Sequence, residues 1–128
     1  LNMDDILNET FHNLKKYVAG PIYASVLPNV NFRSAYTYAK NIQSIGAITY
    51  GPFIINGTNC SRFVASTIIN SSPSHITKLR LMYPYCIVPS PKRNISICNR
   101  NFHVFENNSY TKITRNIFQG YFKGIERR

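Results

Sequence analysis

The chain has 128 residues, 44% of them apolar and 13% aromatic, which suits one globular domain with an ordinary core and argues against a disordered chain. Fifteen Lys and Arg against five Asp and Glu give a formal charge of +10, a field that selects polyanionic partners without choosing among nucleic acid, anionic lipid and acidic protein. No apolar run approaches the roughly 20 residues that span a bilayer, and no signal-peptide layout opens the chain.

Residues 2–18 read as a helix. Asn2 is placed to cap it, Asp4 and Asp5 suit the positive end of its dipole, and Leu7, Phe11, Leu14 and Val18 form one apolar stripe. Gly20-Pro21 stops it. "IYASVL", 22–27, reads as a short strand ended by Pro28-Asn29. Asn31 caps a second helix, with Phe32, Ala35, Tyr36, Ala39 and Ile42 on its inner side and Gly46 at its end. "AITYGPFII", 47–55, reads as an edge or bulged strand broken at Gly51-Pro52, followed by an Asn56-Gly57 turn.

A third helix is expected from Asn59 to Ile69, with Cys60, Phe63, Val64, Thr67 and Ile68 on one face, so that the thiol points with the core. "NSSPS" is a loop. Residues 76–88 have a helical or mixed pattern that Pro84 ends, 89–93 read as loop, and "ISICN" as a strand or turn. "NFHVFENN" looks like a strand and turn. From Ser109 onward Ile113, Ile117, Phe118, Tyr121, Phe122 and Ile125 recur near helical spacing among Lys112, Arg115, Lys123, Arg127 and Arg128, which predicts a basic amphipathic segment. Lys112, Arg115, Phe118, Tyr121, Phe122 and Lys123 are its candidate membrane- or partner-facing residues.

The chemistry concentrates at "NGTNCSRFV", 56–64. A thiol in the first turn of a helix faces the positive end of the macrodipole and unpaired N–H groups, and both favour thiolate. Arg62 adds a nearby positive charge, and the same N–H groups suit an oxyanion. The competing reading is a small structural residue that begins a helix. A thiol enzyme also needs a base, usually histidine. His12 lies on the polar side of the first helix and His75 beyond the far end of the cysteine helix. His103, in a strand with Asn107 and Asn108 after it, is the best placed of the three. Cys86 and Cys98 either pair with each other or stay reduced. No CxxC and no Cys/His spacing points to zinc, and nothing calls for a cofactor.

"IYASV", "AYTYAKNIQSIGAITYGPF" and "GTNCSRFV", in that order, resemble the permuted papain-like, NlpC-type superfamily. Within it they look like the C-terminal half of a bacterial domain family. Lecithin:retinol acyltransferase-like proteins show a similar Asn-Cys-x-x-Phe-Val pattern. The similarity spans about residues 2–98. The resemblance implies an α+β, papain-like half-domain, with helices packed on a small antiparallel sheet and the nucleophile Cys60 at a helix N-terminus. It places Asn59, Ser61 and Arg62 as oxyanion or positioning residues. Permuted relatives carry the histidine before the cysteine, on a strand without a match in this chain. The base then comes from a missing first half, from a second chain, or from His103.

Residues 1–99 are thus expected to form the papain-like core and 100–128 a basic, aromatic extension. The reading that follows is a thiol hydrolase or acyltransferase acting on amide or ester bonds. Its anionic partner is peptidoglycan, lipid or acidic protein, at a secreted or cell-envelope location. The alternative is a non-catalytic papain-like subunit that binds an acidic partner or a membrane surface. Nucleic-acid binding, resting on charge and scattered Tyr and Arg alone, ranks last.

Overall fold

The computed structural model describes residues 2–51, 53–54, 57–83, 90–107, 109–116 and 118–119. Three strands form an antiparallel sheet in the order β1 (Ile22–Ala24), β2 (Phe102–Glu106), β3 (Ser109–Ile113). Tyr23 pairs with Val104, and Val104 with Thr111, so β2 is the central strand. Side chains alternate across a strand, which gives β2 two different faces. Phe102 and Val104 are buried with Tyr23, Ile95 and Ile113. Phe105, on the other face, stacks on Phe11 with ring centroids 5.3 Å apart.

Phe11 comes from α1 (Met3–Lys15). It is fully buried, and truncating such a ring to Ala costs roughly 3–5 kcal/mol. Leu7 is buried as well, whereas Leu14, in the last turn, and Val18, beyond the helix end at Lys15, are exposed. Asn2 precedes the helix, but its side chain makes no capping bond; Asp4 and Asp5 supply the favourable charge.

On the opposite face of the sheet lie the remaining helices. Each of these four has a side-chain cap. Asn31 accepts from the Ser34 N–H before α2 (Phe32–Ser44), and Asn59 from the Arg62 N–H before α3 (Cys60–Asn70). Ser74 accepts from the Thr77 N–H before α4 (His75–Met82), and Ser90 from the Arg93 N–H before α5 (Pro91–Cys98). Gly46 follows α2 with φ at 79°, a left-handed turn that glycine takes without strain. Ala65 of α3, Leu81 of α4 and Ile97 of α5 form a second core cluster with Ile68 and Ile69. α5 joins the two clusters, since Ile95 packs on the sheet and Ile97 on α3 and α4. The order of layers is α1, sheet, α5, then α3 with α4, with α2 on α3.

The architecture is therefore α+β, five helices and a small antiparallel sheet among the described residues, as expected. Several details differ. Residues 47–55 contribute only a bridge, Tyr50 to parallel Thr58, in place of a strand; Pro52 and Ile55 lie outside the described residues. The expected loop and strand over 89–98 is α5, because Pro91 sits at a helix start, where its missing N–H costs nothing. Residues 109–113 are β3 and not the start of an amphipathic helix, since β2 offers them a ladder of hydrogen bonds. β2 and β3 both lie beyond residue 99 and complete the sheet with β1. Pro84, Cys86, Tyr121, Phe122 and Lys123 fall outside the described residues.

Candidate functional site

Cys60 is the first residue of α3 and is exposed. Asn59 adopts an extended conformation (φ −143°, ψ 170°), and its side chain takes the Arg62 N–H at 2.9 Å. That bond satisfies one of the N–H groups left over at a helix start; the N–H groups of Cys60 and Ser61 remain ahead of the first helical bond, beside the thiol. The buried face of α3 runs through Ser61, Ala65, Ile68 and Ile69. At about 100° per residue this stripe lies a third of a turn round from Cys60. The expectation that the thiol shares the core face is thus corrected: Cys60 faces outward, and Val64, on its side, is exposed as well.

The segment before α3 is held in three ways. Thr58 N–H donates to the Thr49 carbonyl and Gly51 N–H to the Thr58 carbonyl, both at 3.0 Å. Gly57 sits where a Cβ would come within 2.8 Å of the Thr49 carbonyl oxygen and 2.9 Å of the Ile54 side chain, so only glycine permits this approach. Arg62 Nη1 donates to the carbonyls of Ile54 at 3.1 Å and Gly57 at 3.2 Å. Arg62 therefore ties down the loop that leads to the thiol. Ser61 points into the core, and its carbonyl accepts from Asn94 Nδ2 of α5 at 2.8 Å. Asn94 is buried, and its Oδ1 has no partner among the described residues.

This bracing brings Tyr50 to Cys60, with the hydroxyl 3.5 Å from Sγ. The hydrogen bond to Cys60, then the charge interaction with it, raises the Tyr50 pKa. Sequence reasoning missed Tyr50 and Asn94. The only local signal for Tyr50 was its place before Gly51, at a predicted strand break; Asn94 is distant in sequence and carries no local signal.

The histidines do not join this site. His103 lies on β2 on the same face as Phe105, towards α1, while Phe102 and Val104 face α5. The sheet and α5 stand between His103 and α3. His103 is buried, stacks on Tyr110 with centroids 5.3 Å apart, and bonds through Nδ1 to the Tyr110 hydroxyl, which also donates to Asp4 at 3.3 Å. Burial, then the positive charge of Lys112, lowers its pKa against the opposing pull of Asp4. The expected pairing of His103 with Cys60 is corrected accordingly. His75 opens α4, past the far end of α3, about 16 Å along the helix axis from Cys60. His12 is exposed on α1.

Of the residues expected on a membrane or partner surface, Lys112 and Phe118 are exposed. Arg115 is not. It is buried over the Phe102 ring, 4.9 Å from the centroid, and donates to the carbonyls of Arg100 and, at 3.1 Å, Asn99. Its guanidinium fills the end of α5, where carbonyls lack helical partners. Cys98 is a free, half-buried thiol whose pKa burial raises, with the Ser25 side chain opposing. Among the described residues there is no group of three His, Cys, Asp or Glu that would hold a metal ion, and no helix long and apolar enough to cross a membrane.

Fold and site together define an α+β domain that presents a thiol on the first residue of a braced helix. The family model for type VI secretion system effector TseH-like proteins matches residues 1–76, and the chain belongs to that family. The papain-like, NlpC-type character of that family agrees with the resemblance carried by "GTNCSRFV". The match includes Tyr50 and Cys60; β2, β3 and His103 lie beyond it. No curated protein and no solved structure matches the chain.

Proposed function

We propose that the protein is a papain-like hydrolase or acyltransferase that uses Cys60 to attack an amide or ester carbonyl at the cell envelope. The observation that carries this reading is the exposed thiol on the first residue of α3, within the matched family region. In it the Cys60 thiolate forms the bond to the carbonyl carbon. The N–H groups at the start of α3 hold the oxyanion, and the Tyr50 hydroxyl donates to the sulfur or to that oxygen. The leaving amine or alcohol takes its proton from a histidine outside this chain's three, on a preceding half of a permuted fold or on a second chain. Anionic substrates fit the charge: peptidoglycan, lipid or an acidic protein.

The position of the histidines favours one competing reading, a non-catalytic papain-like subunit that uses the same basic surface for binding. Iodoacetamide labelling separates the two. Cys60 is expected to be alkylated first near pH 6, well ahead of half-buried Cys98, and equally slow reaction of all three thiols would sink the enzyme reading. Incubation with peptidoglycan sacculi and with phospholipid vesicles is expected to release product from one of them. Cys60→Ala is expected to abolish that release.

A further inference from the structure

A groove of about 710 Å³ runs alongside α3 and begins one turn from the thiol. Its volume is in the range of small-molecule sites. Its apolar wall is made by Ile42 of α2 and Ile45 just after it, Phe63 and Ile69 of α3, and Leu81 and Met82 of α4, with Tyr38, Ser66 and Tyr83 among them. Between Phe63 and Ile69 the wall extends about 9 Å along the helix. The end nearest the thiol is formed by Thr49, Gly57 and Thr58, the segment that also carries Tyr50. Phe63 follows Cys60 by three residues and so lies on its side of the helix. A chain entering the groove from the thiol passes Thr58 and Phe63 and then runs along Ile42, Ile45, Ile69, Leu81 and Met82, with Ser66 and Arg93 among them.

The charged residues that line this groove have one sign. They are Arg62 and Arg93, and Arg93 Nη2 donates to the Arg80 carbonyl at 2.9 Å. Residues 10–105 contain no Asp or Glu at all. The four described acids, Asp4, Asp5, Glu9 and Glu106, sit on α1 and at the end of β2, and none of them lines the groove. Apolar walls select an aliphatic chain, and guanidinium groups select an anionic head.

We infer that the groove is an acyl-chain subsite, which binds the aliphatic tail of an anionic amphiphile whose ester or amide carbonyl reaches Cys60. This deepens the proposal that Cys60 is a nucleophile and rests on it for the carbonyl, while the binding of the tail is independent of the thiol.

The test uses the full chain with cis-parinaric acid, a fluorescent anionic fatty acid. Saturable enhancement is expected, reversed by dodecyl phosphate but not by inorganic phosphate or by dodecanol at equal concentration. Ile45 is exposed (64%), so Ile45→Glu places a carboxylate on the wall without disturbing the core and is expected to weaken binding about tenfold or more. Ile76→Glu, equally exposed on α4 outside the groove, is expected to bind like the native chain. Three results would overturn the inference: no saturable binding, equal weakening by both variants, or displacement by an acidic peptide in place of dodecyl phosphate. Cys60→Ala is expected to bind the probe unchanged. If the native chain binds the probe but hydrolyses no acyl ester, the catalytic reading fails and the subsite stands. If it hydrolyses a short acetyl ester without binding the probe, the subsite fails and the catalytic reading stands.

Discussion

Tyr50 reaches Cys60 through a single hydroxyl, and its ring is exposed (66%), so removal of that hydroxyl is a clean perturbation. Tyr50→Phe is expected to leave the melting temperature within a degree or two, because nothing buried is lost. Turnover is expected to fall about 100-fold, the usual loss when one donor to a developing oxyanion is removed. A change in KM alone would assign the hydroxyl to substrate binding instead. His103 governs a different property. Its folded pKa is lowered, so below the ordinary histidine value of about 6.5 the unfolded chain binds a proton that the folded chain resists. Stability is therefore full above that value and declines as pH falls towards the depressed folded one. Urea midpoints between pH 7.5 and 5 are expected to drop for the native chain and to flatten for His103→Gln. Tyr110 and Asp4 face His103 from β3 and α1, and Lys112 stands beside it, so these are the groups that such a titration reports on.

At the scale of elements, Asn31 and Asn59 make the same capping bond to the third residue of their helices, at 3.0 and 2.9 Å. Each change to Ala is expected to cost about 1 kcal/mol in denaturant unfolding. Only Asn59→Ala is expected to reduce turnover as well, since it loosens the turn that presents Cys60; equal activity losses in both variants would reduce the effect to stability. These caps were legible because a cap is local: Asn or Ser stands immediately before an apolar period, and the N–H it satisfies lies three residues on. The end of α2 at Gly46 follows from an equally local signal, whereas α1 stops at Lys15, short of the expected Val18. α5 was missed because Pro91 was read as a loop residue, although Ser90-Pro91 is a cap followed by a proline at the first helical position. β3 was missed for a non-local reason. Tyr110, Lys112 and Ile113 suit either a helix or a strand, and the choice falls to β2, which pairs with all five residues of the segment. The outward turn of Cys60 was misread because apolar spacing alone does not say which of two adjacent stripes a neighbour covers. α4 and α5 cover the one through Ser61 and Ala65.

At the scale of the whole molecule the charges are sorted. The described acids lie on α1 and at the end of β2, and the charged residues of α2 to α5 are all basic. Association with vesicles or sacculi of net negative charge is expected to weaken steeply with salt, as the screening length shrinks from about 30 Å at 0.01 M to about 8 Å at 0.15 M. Co-sedimentation across that range checks it; binding insensitive to salt would remove charge from the account of substrate choice. The helix start that presents Cys60 was readable because Gly57 and Asn59 adjoin it in sequence, whereas Tyr50 and Asn94 reach it only through the fold. The base was not, since its position depends on which strand faces which helix, and the sheet turned the one promising histidine towards α1. Arg115 adds a mechanical consequence. Its side chain is wedged under the carbonyls that end α5, immediately after β3 leaves the sheet. One side chain thus fixes where the chain leaves β3 relative to the end of α5, so the exit of the last strand and the C-terminus of the helix are held in common.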